Sequence, residues 1–150
     1  MFNAQTKMNQ LLAKQKQQAI ESVDKLIPDL KFIVAVSIQQ CRKWQEEQTK
    51  NFTSIPSDAG IYLIYPLGNG KPVYIGEASD LRNRLTFHFS DSASSHKEST
   101  VKKYLKKNAL WDGKTPIEKC FRVRFLVLSF GRLEIEEHLH QKYKVNKGRS

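Results

Sequence analysis

Residues 60–85 contain side chains whose types and spacing suit chemistry on a phosphate group. Tyr62 and Tyr74 stand in two apolar runs joined by a Gly-Asn-Gly turn, and a hairpin would bring the two phenols together. Arg84 and His88 follow four residues apart, which places them on one face of a helix. A guanidinium matches two oxygens of a phosphate, and phenols and imidazoles can transfer protons.

Each of these residues also has a purely structural explanation. Tyr62 and Tyr74 could form a cross-strand aromatic pair, and Gly60 and Gly76 could only mark the ends of strands. A single histidine such as His88 is more often a surface or core residue than a catalyst. Only the occurrence of several such residues together, at matched positions, favours a catalytic site.

The sequence pattern predicts the elements that would hold these side chains. The turn-rich stretch SIPSDAG is a linker, and SDSASSHKES is a polar loop. Together the elements predict an α+β fold of order ββααβα, in which helices flank a small three-stranded sheet. The predicted strands are 60–66, 72–76 and 121–130, and the predicted helices are 79–90, 101–111 and 132–144.

The first fifty residues are predicted to form an α-hairpin. Apolar residues at helical spacing indicate an amphipathic helix over 5–27, and Pro28 ends it. A second stripe, from Leu30 to Trp44, favours another helix, although KFIVAVSI also fits a strand. We therefore expect a helical extension at 1–53 and a second domain at 54–150. The extension would cover a face of that domain or pair with another protein.

The charge balance favours a polyanionic partner. The chain of 150 residues has 25 Lys and Arg against 15 Asp and Glu, a net charge of +10. Nucleic acid is a more frequent partner of such proteins than a membrane, because binding releases counterions from the phosphates. No apolar run is long enough to span a bilayer, and the N-terminus lacks a secretory signal. We expect a cytoplasmic or nucleoid-associated protein without a membrane partner.

The residue pattern offers no metal finger. Cys41 and Cys120 are isolated in sequence, and each fits a small buried hydrophobe. His138 and His140 are two residues apart and would point in different directions from a helix, which argues against a zinc site.

The motifs then resemble those of one known family. GIY stands at 60–62 and YIG at 74–76, and Arg84 and His88 follow at the spacing of that family. A glutamate on the last predicted helix and the downstream Asn146 complete the pattern. The chain thus resembles the GIY-YIG nuclease superfamily, whose ββααβα order it shares.

The resemblance implies a metal-dependent endonuclease that hydrolyses DNA phosphodiester bonds. Tyr62 would activate or orient the attacking water with Tyr74 as its helper, although either phenol could be the base. Arg84 would stabilise the pentavalent transition state, and His88 would relay a proton or contact the phosphate. Asn146 would brace the site.

The resemblance covers about residues 57–147. It also implies one divalent cation, Mg²⁺ or Mn²⁺, which a glutamate, waters and a phosphate oxygen would hold. Glu136 is the first choice for the ligand, since it lies three residues before Leu139 with an apolar residue ahead of it. Glu134 is the alternative, because it lies twelve residues before Asn146.

Basic residues near the motifs are candidates for contacts with phosphates. A lysine strip could equally be the solvated face of a helix, and the sequence does not decide between the two. The candidates are Arg82, Lys102, Lys103, Lys106 and Lys107.

Two acidic residues depart from the family pattern. Glu77 follows YIG where relatives often have lysine or serine, and Asp80 replaces a more common asparagine. They could narrow the choice of substrate, or Asp80 could only cap the helix that follows.

The nucleic acid bound could be double- or single-stranded DNA, and the sequence does not distinguish DNA from RNA. The alternative function is a nucleic-acid-binding module of the same fold that does not cut. The N-terminal helices could bind a second copy of the chain or a partner protein.

Overall fold

The chain divides into two compact units, Met1–Leu30 and Lys31–Ser150. The predicted boundary between residues 53 and 54 stays a prediction. None of the helices described is both long and apolar enough to cross a bilayer. The computed structural model describes residues 4–34, 55–68, 70–89 and 99–145.

The first unit is a long helix, α1, at Ala4–Leu26, and a 3₁₀ turn at Ile27–Asp29. The predicted helix at 5–27 is therefore confirmed, and Pro28 lies in the turn that ends it. Met8, Leu11 and Leu12 of α1 are exposed to solvent.

In the second unit, the described residues form an antiparallel sheet and three helices. The predicted order ββααβα is confirmed from the first hairpin strand to the last helix. The elements are strands β1 (Ile33–Val34), β2 (Gly60–Pro66), β3 (Tyr74–Ala78) and β4 (Phe121–Val127), and helices α2 (Leu81–Phe89), α3 (Thr100–Lys107) and α4 (Arg132–Tyr143).

The predicted second helix of the α-hairpin is wrong at Ile33 and Val34. These two residues form β1, which pairs with Val123 and Arg122 of β4. Both residues are β-branched and so suit a strand, and pairing with the edge of β4 outweighs the helical spacing of the apolar residues. The rest of that predicted helix, including Cys41, lies outside the described residues.

The sheet has the strand order β1-β4-β2-β3. The three predicted strands are confirmed as β2, β3 and β4, and β1 adds a short fourth strand. Strand β2 lies between β4 and β3, and its Tyr62 pairs with Gly76 on one side and Phe125 on the other. Strand β3 is thus at the edge of the described sheet, and most of its residues are buried.

The sheet is covered on both faces. Because side chains alternate along a strand, Ile61, Leu63 and Ile75 point to the face that α4 packs against. The opposite face packs against α2 and α3. Its buried core includes Tyr62, Ile64, Tyr74, Ala78, Leu81, Leu85, Phe89, Val101 and Leu105.

Candidate active site

A cleft of about 220 Å³ lies along β3. Tyr62, Tyr74, Arg84 and Glu136, which the sequence singles out, line this cleft together. They come from β2, β3, α2 and α4, so the fold brings together residues that are far apart in sequence. Asn146 lies outside the described residues. The other lining residues are Ile75, Gly76, Glu77, Thr100 and His140.

The two phenols lie side by side, as the hairpin predicts. The rings of Tyr62 and Tyr74 stack with centroids 6.1 Å apart and planes inclined by 17°. The Tyr62 ring passes over Gly76, where an added Cβ would collide with the Tyr62 hydroxyl. At Gly60 an added Cβ would collide with the carbonyl oxygen of Leu126. Both glycines are therefore needed for packing, and Gly76 makes room for the phenol.

Replacing Gly76 by alanine should lower the free energy of unfolding by about 1–3 kcal/mol, because the methyl group overpacks against the Tyr62 ring. Urea denaturation measures this loss. Gly70→Ala is the matched control, since nothing lies within 4 Å of a Cβ at that position. Equal stability of the two variants would contradict the close packing of Tyr62 on Gly76.

His88 lies behind the Tyr62 phenol and is fully buried. The Tyr62 hydroxyl and His88 Nε2 are 2.9 Å apart, a hydrogen-bond distance. Burial, together with the cations Arg84 and Lys102, lowers the pKa of His88 from its usual 6.5 to about 3. The imidazole is therefore neutral near pH 7, and a neutral Nε2 without a hydrogen can accept a hydrogen bond from the phenol.

The buried His88 should make the fold sensitive to acid. Between its folded pKa of about 3 and its usual 6.5, the unfolded chain binds more protons than the folded chain. The free energy of unfolding should therefore fall as the pH drops below about 6.5, by up to roughly 1.4 kcal/mol per pH unit.

Urea denaturation at about pH 7 and about pH 4.5 tests this expectation against His88→Gln, which cannot titrate. The variant should lose clearly less stability between the two conditions than the native protein. Equal losses would show that His88 does not cause the acid sensitivity.

The Tyr62 phenol is also held in its neutral form. Burial, first, and then the nearby Tyr74 raise the pKa of Tyr62 well above 10, and Glu136 acts in the same direction. The Arg84 cation lowers this pKa, as expected for a cation beside a phenol, but burial outweighs it. Tyr62 is thus better suited to hold a proton in a hydrogen bond than to exist as a phenolate.

Arg84 stands at the rim of the cleft with an exposed side chain. It also lines a neighbouring groove of about 310 Å³ beside Phe87. Its charge acts on both Tyr62 and His88, as their pKa shifts show. Both residues lie on α2, but Arg84 lines the cleft whereas His88 is buried. A phosphate entering the cleft would reach the guanidinium first.

Helix α4 supplies a second carboxylate to the cleft, besides that of Glu77 on β3. Ile135 and Leu139 are buried, and Glu136 between them is only 9% exposed and lines the cleft. Glu134 is exposed and does not line it. The geometry therefore favours Glu136 over Glu134 as the acidic site residue.

His140 is a cleft residue that the sequence did not suggest as part of this site. Its Nε2–H donates to the carbonyl oxygen of Ile75 at 2.9 Å and lies 3.9 Å from Glu136 Oε1. His140 thus links α4 to β3 beside the carboxylate. Its position four residues after Glu136, on the same helix face, was the available signal. Thr100, at the start of α3, had no signal in the sequence.

The two acidic departures from the family pattern have local partners. Arg132 Nε donates to Glu77 Oε2 at 3.0 Å, so a cation offsets the charge of Glu77 at the cleft. Asp80 Oδ1 accepts from the backbone N–H of Asn83 at 3.0 Å, as a residue that caps α2 does.

The candidate phosphate-contacting residues fall into two groups. Arg82 Nε donates to the carbonyl oxygen of Ile55 at 2.7 Å, so its guanidinium helps to hold the linker before β2. Lys102 is only 7% exposed. The exposed basic strip on α3 therefore consists of Lys103, Lys106 and Lys107.

The donors in the cleft fit a Mg²⁺ ion held mainly by water and substrate. Mg²⁺ commonly binds through one or two carboxylates, with waters and phosphate oxygens completing its octahedron. Glu136 offers one largely buried carboxylate beside open space. Among the described residues, no three His, Cys, Asp or Glu side chains gather into a metal-binding group.

The family model for the GIY-YIG catalytic domain matches residues 58–148. The chain belongs to the GIY-YIG family. A comparison of this GIY-YIG protein with curated proteins finds no match.

Solved structures similar to this GIY-YIG protein include the GIY-YIG N-terminal endonuclease domain of UvrC from Thermotoga maritima bound to magnesium. It is 19% identical, with a TM-score of 0.43, over 75% of this chain and 98% of that chain. A tyrosine-to-phenylalanine point mutant of the same domain is 20% identical, with a TM-score of 0.44, over 75% and 97%. An asparagine-to-alanine mutant is 22% identical, with a TM-score of 0.38, over 71% and 92%.

Proposed function

We propose that this GIY-YIG protein is an endonuclease that hydrolyses DNA phosphodiester bonds with one divalent metal ion, Mg²⁺ or Mn²⁺. The observation that carries the proposal is the convergence of two phenols, a guanidinium and a carboxylate in one cleft. Phosphodiester hydrolysis requires a group that orients water, a cation that stabilises the transition state and a site for a metal. The net charge of +10 supports a nucleic-acid substrate.

Tyr62 would orient the attacking water as a neutral phenol. Its hydroxyl lies 2.9 Å from Nε2 of the neutral His88 and would donate a hydrogen bond to it, which leaves the oxygen lone pairs to accept a hydrogen from water. Neither group would take the proton of the water near pH 7, because the raised pKa of Tyr62 keeps the phenol protonated and the pKa of His88 is only about 3, so this proton would pass to bulk solvent. Tyr74, stacked beside Tyr62, would assist in holding this water.

Arg84 and Glu136 would act on the phosphate from opposite sides of the cleft. The exposed Arg84 fork would bind two phosphate oxygens and stabilise the charge that develops in the transition state. Glu136 would hold the metal ion. When bound, such an ion polarises the phosphate and lowers the pKa of coordinated water.

Other parts of the chain would support the cleft and bind its substrate or partners. Asn146 would brace the site, although it lies outside the described residues. The exposed Lys103, Lys106 and Lys107 on α3 would contact flanking phosphates. Residues 1–53 would bind a second copy or a partner protein, consistent with the exposed Met8 and Leu12 on α1. The protein would act in the cytoplasm or at the nucleoid.

A substrate panel tests the proposed activity. Supercoiled plasmid, single-stranded DNA, branched DNA and RNA are each incubated with the full chain and Mg²⁺, Mn²⁺ or EDTA, and the product ends are mapped. We expect metal-dependent cleavage of DNA. Salt-sensitive binding without cleavage under any metal would instead identify a non-cleaving binding module.

A further inference from the structure

The turn before α4 holds an aromatic side chain in solvent. Phe130 is 88% exposed and Leu133, in the first turn of α4, is 60% exposed. Phe130 is the most exposed of the large hydrophobic side chains described. An aromatic ring in solvent beside a substrate cleft is available to stack on a flat part of the substrate.

The backbone around Phe130 is held firmly at both ends. Before it, the N–H of Leu128 donates to the carbonyl oxygen of Ala59 at 2.9 Å. After it, Arg132 Nη1 donates to the carbonyl oxygen of Ser129 at 3.0 Å. Gly131 adopts a positive φ of 70°, which favours glycine and shapes the tight turn. The exposure of Phe130 is therefore a property of an ordered turn.

The turn is continuous with the cleft. Arg132 connects it to the cleft residue Glu77 through a hydrogen bond of 3.0 Å. Leu133, Glu136 and His140 are spaced by three and four residues, so they lie along one stripe of α4. Glu136 and His140 of that stripe line the cleft, and Leu133 extends it by one helical turn, about 5 Å.

We propose that Phe130, supported by Leu133, stacks on a nucleobase next to the phosphate bound in the cleft. This inference rests on the proposed function and identifies the part of the substrate that lies beyond the cleft. Successive nucleotides of a DNA strand are about 3.4 Å apart along the axis, so a base one or two nucleotides away lies about 3–7 Å further along the strand, comparable with the helical turn that separates Leu133 from Glu136. Every base has a π face, and aromatic side chains bind such faces without strong sequence preference.

DNA binding in EDTA tests the proposal apart from catalysis. The probes are a short single-stranded oligonucleotide carrying 2-aminopurine and its duplex, added to the full chain. Phe130→Ala should weaken binding of at least one probe by about ten- to a hundred-fold and abolish the quenching of 2-aminopurine by stacking. Phe130→Trp should retain both binding and quenching.

Leu67→Ala is the matched control, since Leu67 is 50% exposed and follows the other end of β2. It should bind both probes as the native protein does. Unchanged affinity and quenching in Phe130→Ala would overturn the proposal. If Phe130→Ala changed the oligomeric state and left DNA binding unchanged, the turn would instead bind a second copy of the chain, which would also overturn it. Because no metal is present, the result can be read even if the protein does not cleave DNA.

Discussion

Replacing Glu136 by glutamine should reduce metal-dependent DNA cleavage by at least about a thousand-fold, because the proposed metal contributes several kcal/mol to transition-state stabilisation. Glu136 brings a largely buried carboxylate into the cleft, whereas the other carboxylate there, Glu77, is bonded to Arg132 at 3.0 Å. Glutamine keeps the size of the side chain and loses the charge that binds Mg²⁺. Single-turnover cleavage rates measure the effect.

Glu134→Gln and Glu137→Gln are the matched controls on the same helix. Both residues are exposed, so both variants should cleave at nearly the native rate. Circular dichroism and thermal melts verify that each variant is folded. Native activity in Glu136→Gln, or a large loss in Glu134→Gln instead, would show that the assignment of the carboxylate is wrong.

Replacing Arg84 by alanine should lower the cleavage rate by about a hundred- to a thousand-fold, the range found when one preorganised donor to a developing charge is removed. The side chain is exposed at the rim of the cleft, so the fold should not depend on it. The loss should appear mainly in the rate of the chemical step, measured in single turnovers at saturating enzyme.

Arg84→Lys distinguishes charge from geometry. Lysine keeps the positive charge but lacks the planar fork that binds two oxygens, so it should recover only part of the rate. Lys103→Ala, on the exposed basic strip of α3, is the control for a general loss of positive charge. If Arg84→Ala were no slower than Lys103→Ala, Arg84 would have no special role at the phosphate.

The hairpin and the residues after it could be predicted because local rules determine them. Two apolar runs and the Gly-Asn-Gly turn between them predict two antiparallel strands, and the observed register places Tyr62 beside Gly76. Helical spacing places Arg84 and His88 on one face. The position of Glu136 between two buried residues follows from the same periodicity in α4.

Properties that depend on packing could not be predicted in this way. The sequence indicates a phenol next to a cation, but not that burial would outweigh the cation in the pKa of Tyr62. Spacing alone also cannot show that Lys102 is buried while Lys103 is exposed. The strand at Ile33 and Val34 depends on an edge of β4 that lies almost ninety residues away.

The link between His140 and Ile75 is also invisible in the sequence, because it joins two elements across the fold. Similarly, an exposed Phe130 looks like any core residue of the last strand until the turn is seen. In both cases tertiary packing determines the contacts or the exposure of the side chain, which the local sequence pattern does not specify.

The most direct test of the central claim is the rate at which the full chain cleaves labelled DNA as Mg²⁺ is titrated, with Glu136→Gln measured alongside. We expect the cleavage rate to be zero in EDTA, to rise with Mg²⁺ and to saturate. The cleavage rate of Glu136→Gln should stay near background at every Mg²⁺ concentration. Cleavage that persists in EDTA, or that is the same in Glu136→Gln and the native protein, would contradict the central claim.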